Sequence, residues 1–132
     1  MLDVLIKRIK EISGKECIFG FINDYALSSM SSGGKFILQP ESQESRTIGL
    51  NHRKERVRKL KLLYGKMNKI KTGSIEEVKW VENFLEELEK DRELLGYIIN
   101  LDHYYIVNNE KKDEDDLTGY IIFEINLDIK ER

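Results

Sequence analysis

Hydrophobic residues recur at intervals of three or four in two stretches of the chain, a spacing that predicts amphipathic helices. The first stretch spans residues 2–12 and is followed by Ser13-Gly14, where the glycine favours the end of a helix. The second spans residues 75–95 and begins with a capping box, in which Ser74 is the N-cap and Glu77 stands three residues later. The pattern therefore predicts a short N-terminal helix and one long helix.

Alternation of apolar and polar residues predicts strands in the last third of the chain. In residues 119–129, every second position is apolar: Ile121, Phe123, Ile125, Leu127 and Ile129. Residues 97–107 also have the composition of a strand, and the acidic stretch 108–116 separates the two. Two strands joined by a polar loop predict a hairpin.

Three further strands are predicted before the long helix. Residues 17–22 and 35–39 are short apolar stretches, and Pro40 is expected to end the second of them, with a polar loop up to Ser45. The third strand, residues 56–64, alternates apolar and basic residues at its centre.

Strands and helices that stand in separate runs predict an α+β protein. We expect a mixed, mainly antiparallel β-sheet flanked by the N-terminal helix and the long helix. The long helix and the strand 119–129 have the largest apolar surfaces. We therefore expect six of their residues to pack together in the core: Val81, Leu85, Leu88, Ile121, Phe123 and Ile125.

The chain has 132 residues, a length that suits a single domain over residues 1–132. Charged residues make up 35% of it, but the formal net charge is only −2, so the chain as a whole has no polyanion-binding character. No apolar stretch approaches the roughly 20 residues that span a bilayer. Lys7, Arg8 and Lys10 interrupt the apolar N-terminus, which therefore does not resemble a signal peptide. We expect a protein that is made inside the cell and has no membrane partner.

Candidate catalytic and metal-binding groups are few. The chain has one cysteine, Cys17, in an apolar stretch, and two histidines, His52 and His103. A nucleophilic cysteine needs a nearby base, and one cysteine with two distant histidines matches no zinc pattern. The sequence also lacks a glycine-rich phosphate loop. We therefore expect Cys17 to be a small buried hydrophobe, and we expect no cofactor, no metal and no enzymatic activity.

Charge is distributed unevenly along the chain. Residues 53–71 hold nine basic residues and a single acidic one, Glu55. Seven of the basic residues are candidates for a subunit interface or a lumen: Arg53, Lys54, Arg56, Arg58, Lys59, Lys61 and Lys66. The long helix is acidic, and its candidate counter-face consists of Glu82, Glu86, Glu89 and Glu93.

The basic segment has three interpretations. Its lysines and arginines can neutralise the phosphates of a nucleic acid. They can also mark an edge strand, where lysine discourages unwanted pairing. Alternatively, the basic face of one copy can pair with the acidic helix of the next, and such head-to-tail contacts close into rings.

The order of elements resembles that of the tail-terminator proteins of long-tailed phages and phage-tail-like particles, also called tail-completion or minor capsid proteins. The matching features are the N-terminal helix ending near Gly14, the strand Lys35-Phe36-Ile37-Leu38-Gln39-Pro40, the charged strand 56–64, the helix 76–95 with its core Phe84-Leu85-Glu86-Glu87-Leu88, and the alternating strand 120–129. The resemblance covers nearly the whole chain. It is a resemblance of pattern, because the family has no short invariant motif. The basic run at 48–58 is denser than the family pattern.

The resemblance implies a structural assembly protein without catalysis. Six copies would form a ring on the head-proximal end of the tail tube, end tube growth and join the tail to the neck. The partners would be further copies of the chain, the tail tube protein, and a neck or head–tail connector protein or a sheath, with DNA only passing through the lumen. The protein would be located in the host cytoplasm during assembly and then in the virion or tail-like particle. The alternative function is a small nucleic-acid-binding regulator that uses the basic strand 53–71.

Overall fold

The computed structural model describes residues 1–21, 34–48, 53–69, 75–111 and 118–132. In chain order the elements are α1 (Leu2–Ser13), β1 (Cys17–Phe19), β2 (Lys35–Ile48), β3 (Arg53–Lys69), α2 (Ile75–Glu89), α3 (Arg92–Leu95), β4 (Ile98–Lys111) and β5 (Thr118–Glu131). The predicted N-cap Ser74, His52 and Ile22 lie outside the described residues. The predicted strand 17–22 is shorter than expected, because β1 ends at Phe19 and the described residues 20 and 21 are not part of it.

The five strands form one sheet in the order β1-β2-β3-β5-β4. β1 and β2 are parallel, and the other neighbouring pairs are antiparallel. This confirms the predicted α+β class and the mixed, mainly antiparallel sheet. The predicted hairpin is also confirmed, because β4 pairs with β5 from Ile98 opposite Glu131 to Lys111 opposite Gly119.

Pro40 does not end its strand, contrary to the prediction. β2 continues through a bulge between Pro40 and Ser42 and pairs with β3 as far as Ile48, so the predicted polar loop is part of the sheet. The N–H of Phe36 and the C=O of Leu38 both bond on the β1 side of β2. Because main-chain direction alternates along a strand, the nitrogen of Pro40 also points to that side, beyond the end of β1. Its missing N–H therefore removes no bond to β3.

The structure confirms the predicted end of the first helix but not that of the second. α1 ends as expected at Gly14, which has φ 68° and donates its N–H to the C=O of Lys10 at 2.8 Å. The long helix is not continuous to residue 95, because α2 ends at Glu89. Asp91 then accepts a hydrogen bond from the N–H of Leu94 and caps the separate short helix α3.

The main core lies between the helices and one face of the sheet. All six predicted core residues belong to a single buried cluster, which confirms the assignment of the helix face and of the strand face. α1 contributes Leu5 and Ile9 to the same cluster, and both side chains are fully buried. The helices therefore share one side of the sheet, called here the helix face.

The opposite side of the sheet, called here the second face, carries a smaller buried apolar group. Ile37, Leu63 and Ile122 are buried but do not belong to the main cluster. Ile37 and Leu63 are directly opposed across β2 and β3. The strands are therefore apolar on both sides in the middle of the sheet, and their charged positions lie around this region.

Replacing Leu85 by alanine is expected to lower the free energy of unfolding by about 2–5 kcal/mol, because the side chain is almost fully buried and leaves a cavity. Denaturant unfolding monitored by circular dichroism measures the change. Lys79→Ala, at an exposed position of the same helix, is the control and is expected to change stability little. An unchanged unfolding midpoint for Leu85→Ala would contradict the assignment of this helix face.

Candidate interaction surfaces

The basic segment forms a central strand. β3 lies between β2 and β5, so its main chain is paired on both sides, and the interpretation as a basic edge strand is wrong. Its side chains alternate between the two faces of the sheet. Leu60 and Leu62 point into the main core, whereas Lys59 and Lys61 point to the second face.

Two of the candidate basic residues are paired at opposite ends of β3. Arg58 donates from Nε to Oε1 of Glu131 on β5 at 2.9 Å. Lys66 Nζ lies 2.5 Å from Oε1 of Glu77 in the first turn of α2. Both pairs are partly buried, so these charges stabilise contacts within the subunit.

Lys61 is held by carboxylates from both neighbouring strands. Its Nζ lies 2.7 Å from Glu124 on β5 and 3.3 Å from Glu41 on β2. The hydrogen bond to Glu124 raises the pKa of Lys61, against the opposing effect of desolvation. The single acidic residue of the basic segment is also paired, since Glu55 lies 2.5 Å from Nζ of Lys130. Ion pairs on the second face therefore link β2, β3 and β5.

Among the basic side chains that the structure describes, those of Arg56 and Lys59 are exposed. Neither forms a salt bridge within the described part of the chain, although Lys59 stands opposite Asp128 in the strand register. The backbone of Arg53 and Lys54 belongs to β3, but their side chains are outside the description. Because side chains alternate along β3, Arg56 lies on the side of Leu60 and Lys59 lies on the second face, so among the side chains described the segment exposes one basic residue on each side of the sheet.

The candidate acidic residues of α2 contact β4. Glu82 accepts a hydrogen bond from the hydroxyl of Tyr105 at 2.6 Å, and this bond raises the pKa of Tyr105. Glu89 lies 3.4 Å from Nε2 of His103, and Glu86 is exposed. Within one chain, Glu82 and Glu89 therefore contact β4, and their described contacts do not include the basic residues of β3.

Glu93 belongs to an ion-pair cluster that joins α1 to α3. Arg8 donates to both carboxylate oxygens of Asp91, at 2.8–3.1 Å, and also contacts Glu93 and Glu11. The hydrogen bond to Asp91 raises the pKa of Arg8. Asp91 also caps α3, so one carboxylate fixes both the break in the long helix and the position of α1. In the sequence, this break is indicated by Asp91, a residue type that favours the N-cap, inside an otherwise continuous apolar stripe.

An aromatic cluster that the sequence analysis did not identify packs at one end of α2. Its members are Phe36, Tyr64, Trp80, Phe84, Tyr105 and Phe123. Lys15 covers the cluster, with Nζ 5.0 Å from the Trp80 ring centre. A small open cavity beside it, of about 190 Å³, is lined by Lys15, Lys66 and Glu77 together with Tyr64 and Trp80.

Tyr64 fills the space beside Gly34. A Cβ atom at Gly34 would lie 2.6 Å from the Tyr64 hydroxyl, and Gly34 has φ 86°, so a side chain there is excluded on both grounds. The hydroxyl is buried and has no hydrogen-bond partner among the described residues. Burial raises the pKa of Tyr64 and the nearby carboxylate of Glu77 raises it further, but Glu77 does not meet the geometry of a hydrogen bond to the hydroxyl.

Cys17 and His103, the candidate chemical groups that the structure describes, lie on the two strands at opposite ends of the strand order, β1 and β4. Cys17 is 3% exposed, which confirms the prediction of a small buried hydrophobe, and burial raises its pKa to about 12. The thiolate, the reactive form, is therefore scarce at neutral pH. His103 is partly exposed on β4 beside Glu89. No group of three or more possible metal ligands occurs among the residues described.

The outer strand of the hairpin exposes apolar side chains. Tyr104 is 62% exposed and Ile106 is 50% exposed, and the strand alternation places both on the second face. β4 stands at the end of the strand order, so one side of its main chain has no neighbour in the described sheet. The composition of residues 97–107 predicted a strand but did not indicate that it would be an outer one.

No family model matches this chain, and no curated protein matches its sequence. None of the helices in the described ranges is long and apolar enough to cross a membrane. Function is therefore inferred from the fold and from the surfaces described above.

Replacing Asp91 by alanine is expected to lower the free energy of unfolding by about 0.5–2 kcal/mol from loss of the α3 cap alone. Arg8→Met removes the other partner, and a double-mutant cycle with thermal or denaturant unfolding measures their coupling. A coupling energy close to zero would contradict the proposed link between α1 and α3. Lys90→Ala, next to Asp91 in the chain and exposed, is the control.

Replacing Tyr64 by phenylalanine is expected to maintain or raise stability, because it removes a buried hydroxyl without a described partner, a group that costs about 1–3 kcal/mol when unsatisfied. Tyr105→Phe, which removes the bonded hydroxyl, provides the comparison and is expected to lower stability slightly. Equilibrium unfolding of both variants gives the measurement. A clear loss of stability in Tyr64→Phe would mean that its hydroxyl makes a stabilising hydrogen bond.

Proposed function

We propose that this protein is a structural assembly protein of a phage tail or phage-tail-like particle. It forms a ring on the head-proximal end of the tail tube, ends tube growth and joins the tail to the neck. The observation that carries the proposal is the mixed five-stranded sheet with its helices packed on one face. This is the fold that the resemblance to tail-terminator proteins implies.

A head-to-tail ring requires two different surfaces on each copy. Arg56 and Lys59 are exposed on β3, and Glu86 is exposed on α2, so opposite charges are available at separate places on the subunit. In the ring, Arg56, on the helix side of β3, and Lys59, on the second face, contact the acidic surface of the next copy or line the lumen. Its partners are further copies of the chain, the tail tube protein and a neck protein or sheath.

Charge pairing alone is too weak to hold such a ring. Exposed ion pairs contribute only about 0–1 kcal/mol each. A stable ring therefore also needs apolar or main-chain contacts, which the β4–β5 hairpin offers along its outer strand. The tube end supplies further surface, so the ring is expected to close there rather than in dilute solution.

Reversing Arg56 and Lys59 to glutamate is expected to give overlong or unfinished tails, because the two introduced carboxylates would repel the acidic surface of the next copy. The variant is introduced into a genome that encodes the particle, and negative-stain microscopy measures tail length and head joining. Arg58 and Lys61 are left unchanged, since their ion pairs with Glu131 and Glu124 support the subunit itself.

The matched control is Lys79→Glu with Lys90→Glu, which changes the net charge equally at exposed positions of the helical layer. It is expected to give tails of normal length. Normal tails from a folded Arg56→Glu and Lys59→Glu variant would show that Arg56 and Lys59 are not needed for a contact between copies or for the lumen. Tight DNA binding by the wild type that is lost with the same two changes would favour the nucleic-acid-binding regulator.

A further inference from the structure

The two edges of the sheet differ in their protection against strand addition. β1 covers only residues 36–38 of β2. Beyond them, β2 has a proline and a bulge, at Pro40, and its described side chains include two exposed charges, Glu41 and Glu44. Proline, bulges and charges are the features that prevent edge strands from pairing with other chains. This edge of the described sheet is therefore poorly suited to accept another strand.

The β4 edge lacks these features in its central part. Residues 101–107 pair with β5 in regular register and include no proline, bulge or lysine. Tyr104, Ile106 and Val107 are exposed there, and Asp102 is the exposed charged residue of the segment. A regular outer strand with exposed apolar side chains is a surface on which another strand can add.

We propose that the outer edge of β4 pairs with the same edge of a second copy of this chain, in antiparallel orientation, with Tyr105 opposite Tyr105 of the second copy. Directly opposed residues of an antiparallel pair lie on the same face of the sheet. In this register, Tyr104 of each copy lies opposite Ile106 of the other on the second face. Two aromatic–β-branched pairs, which are favourable cross-strand neighbours, therefore form in one interface.

Charge favours the β4 edge of the second copy over its β2 edge. Among the side chains described, the exposed charges of β2 beyond β1 are Glu41 and Glu44, so pairing with that part of β2 would align Asp102 with like charges. In the two-fold arrangement, Asp102 instead falls opposite residue 108 of the second copy, and the two Asp102 residues stay apart. The self-pairing therefore avoids the like-charge contacts that the alternative would create.

The helical layer predicts how the dimer responds to salt. A two-fold axis perpendicular to the sheet places the helices of both copies on the same side. Glu82 and Glu89 contact Tyr105 and His103 of β4, so acidic residues of the two copies approach each other across the axis. Salt screens this repulsion. The dimer is therefore expected to strengthen at higher ionic strength, whereas a ring held by basic and acidic surfaces would weaken.

This inference does not rest on the proposed tail function. A head-to-tail ring contains no two-fold axis of this kind. If both proposals hold, the dimer is the state of the protein away from the tube, and its β4 edges separate before a ring closes.

Sedimentation equilibrium of the full chain at low and high salt tests the dimer. The wild type is expected to show a monomer–dimer equilibrium that shifts towards dimer with salt. Ile106→Lys is expected to raise the dimer Kd by roughly tenfold or more, because it places charge in the centre of the interface. The new lysine stands opposite Glu124 within its own subunit, so the fold should be retained, as circular dichroism will check.

The matched control is Phe19→Lys, at an exposed position on the opposite edge strand, and it is expected to keep the wild-type Kd. A wild type that stays monomeric throughout would overturn the proposal. So would a dimer that is lost in Phe19→Lys but unchanged in Ile106→Lys. An oligomer that weakens with salt and is lost in the Arg56→Glu, Lys59→Glu variant would overturn it in favour of the charge-paired ring.

Cysteine cross-linking tests the register. Mild oxidation of an equimolar mixture of Tyr104→Cys and Ile106→Cys proteins is expected to give mainly the mixed dimer, because these positions face each other. The native Cys17 is 3% exposed, so it should contribute little background. Predominant self-linking of Tyr104→Cys would place residue 104 on the axis and contradict the proposed pairing.

Discussion

The pairing of β3 on both of its edges determines the rest of this structure. β2 and β5 fix its register along most of its length, so Leu60, Leu62 and Tyr64 enter the core together. A slip by one residue would exchange every side chain between the two faces and bring Lys59 and Lys61 beneath the helices. The cost of burying those charges protects the register. The same alternation that builds the core therefore also decides where the basic residues are displayed.

The high charge content is used largely inside the subunit. Arg58, Lys61 and Lys66 each neutralise a carboxylate on a neighbouring element, and Arg8 joins α1 to the junction of α2 and α3. The number of basic residues in 53–71 is therefore larger than the number that remain available to a partner. The side chains described that point outwards include two basic residues on β3, acidic residues on α2, and the apolar residues of β4.

Local patterns predicted the parts of the fold that depend on nearby residues. The end of α1 at Gly14, the alternation of β5 and the six core residues all follow from spacing along the chain. The errors arose where a distant residue decides the outcome. Pro40 remains in a strand because β1 has already ended beside it, and α2 stops before Asp91 because that carboxylate caps α3 and binds Arg8, 83 residues away. Similarly, composition could not show that β3 is central and β4 is outermost, since strand order depends on long-range pairing.

The position of β5 has a consequence for synthesis of the protein. β5 is made after β3 and β4, yet it lies between them and supplies the only link that the described sheet provides from one to the other. A nascent chain that has not yet released residues 118–131 therefore has a three-stranded piece and an isolated strand, each with unsatisfied main-chain groups and apolar residues facing water. Completion of the sheet is an insertion between two preformed edges, and such long-range pairing is intrinsically slow. Ribosome-bound chains of this protein should consequently bind holdase chaperones until the last strand emerges.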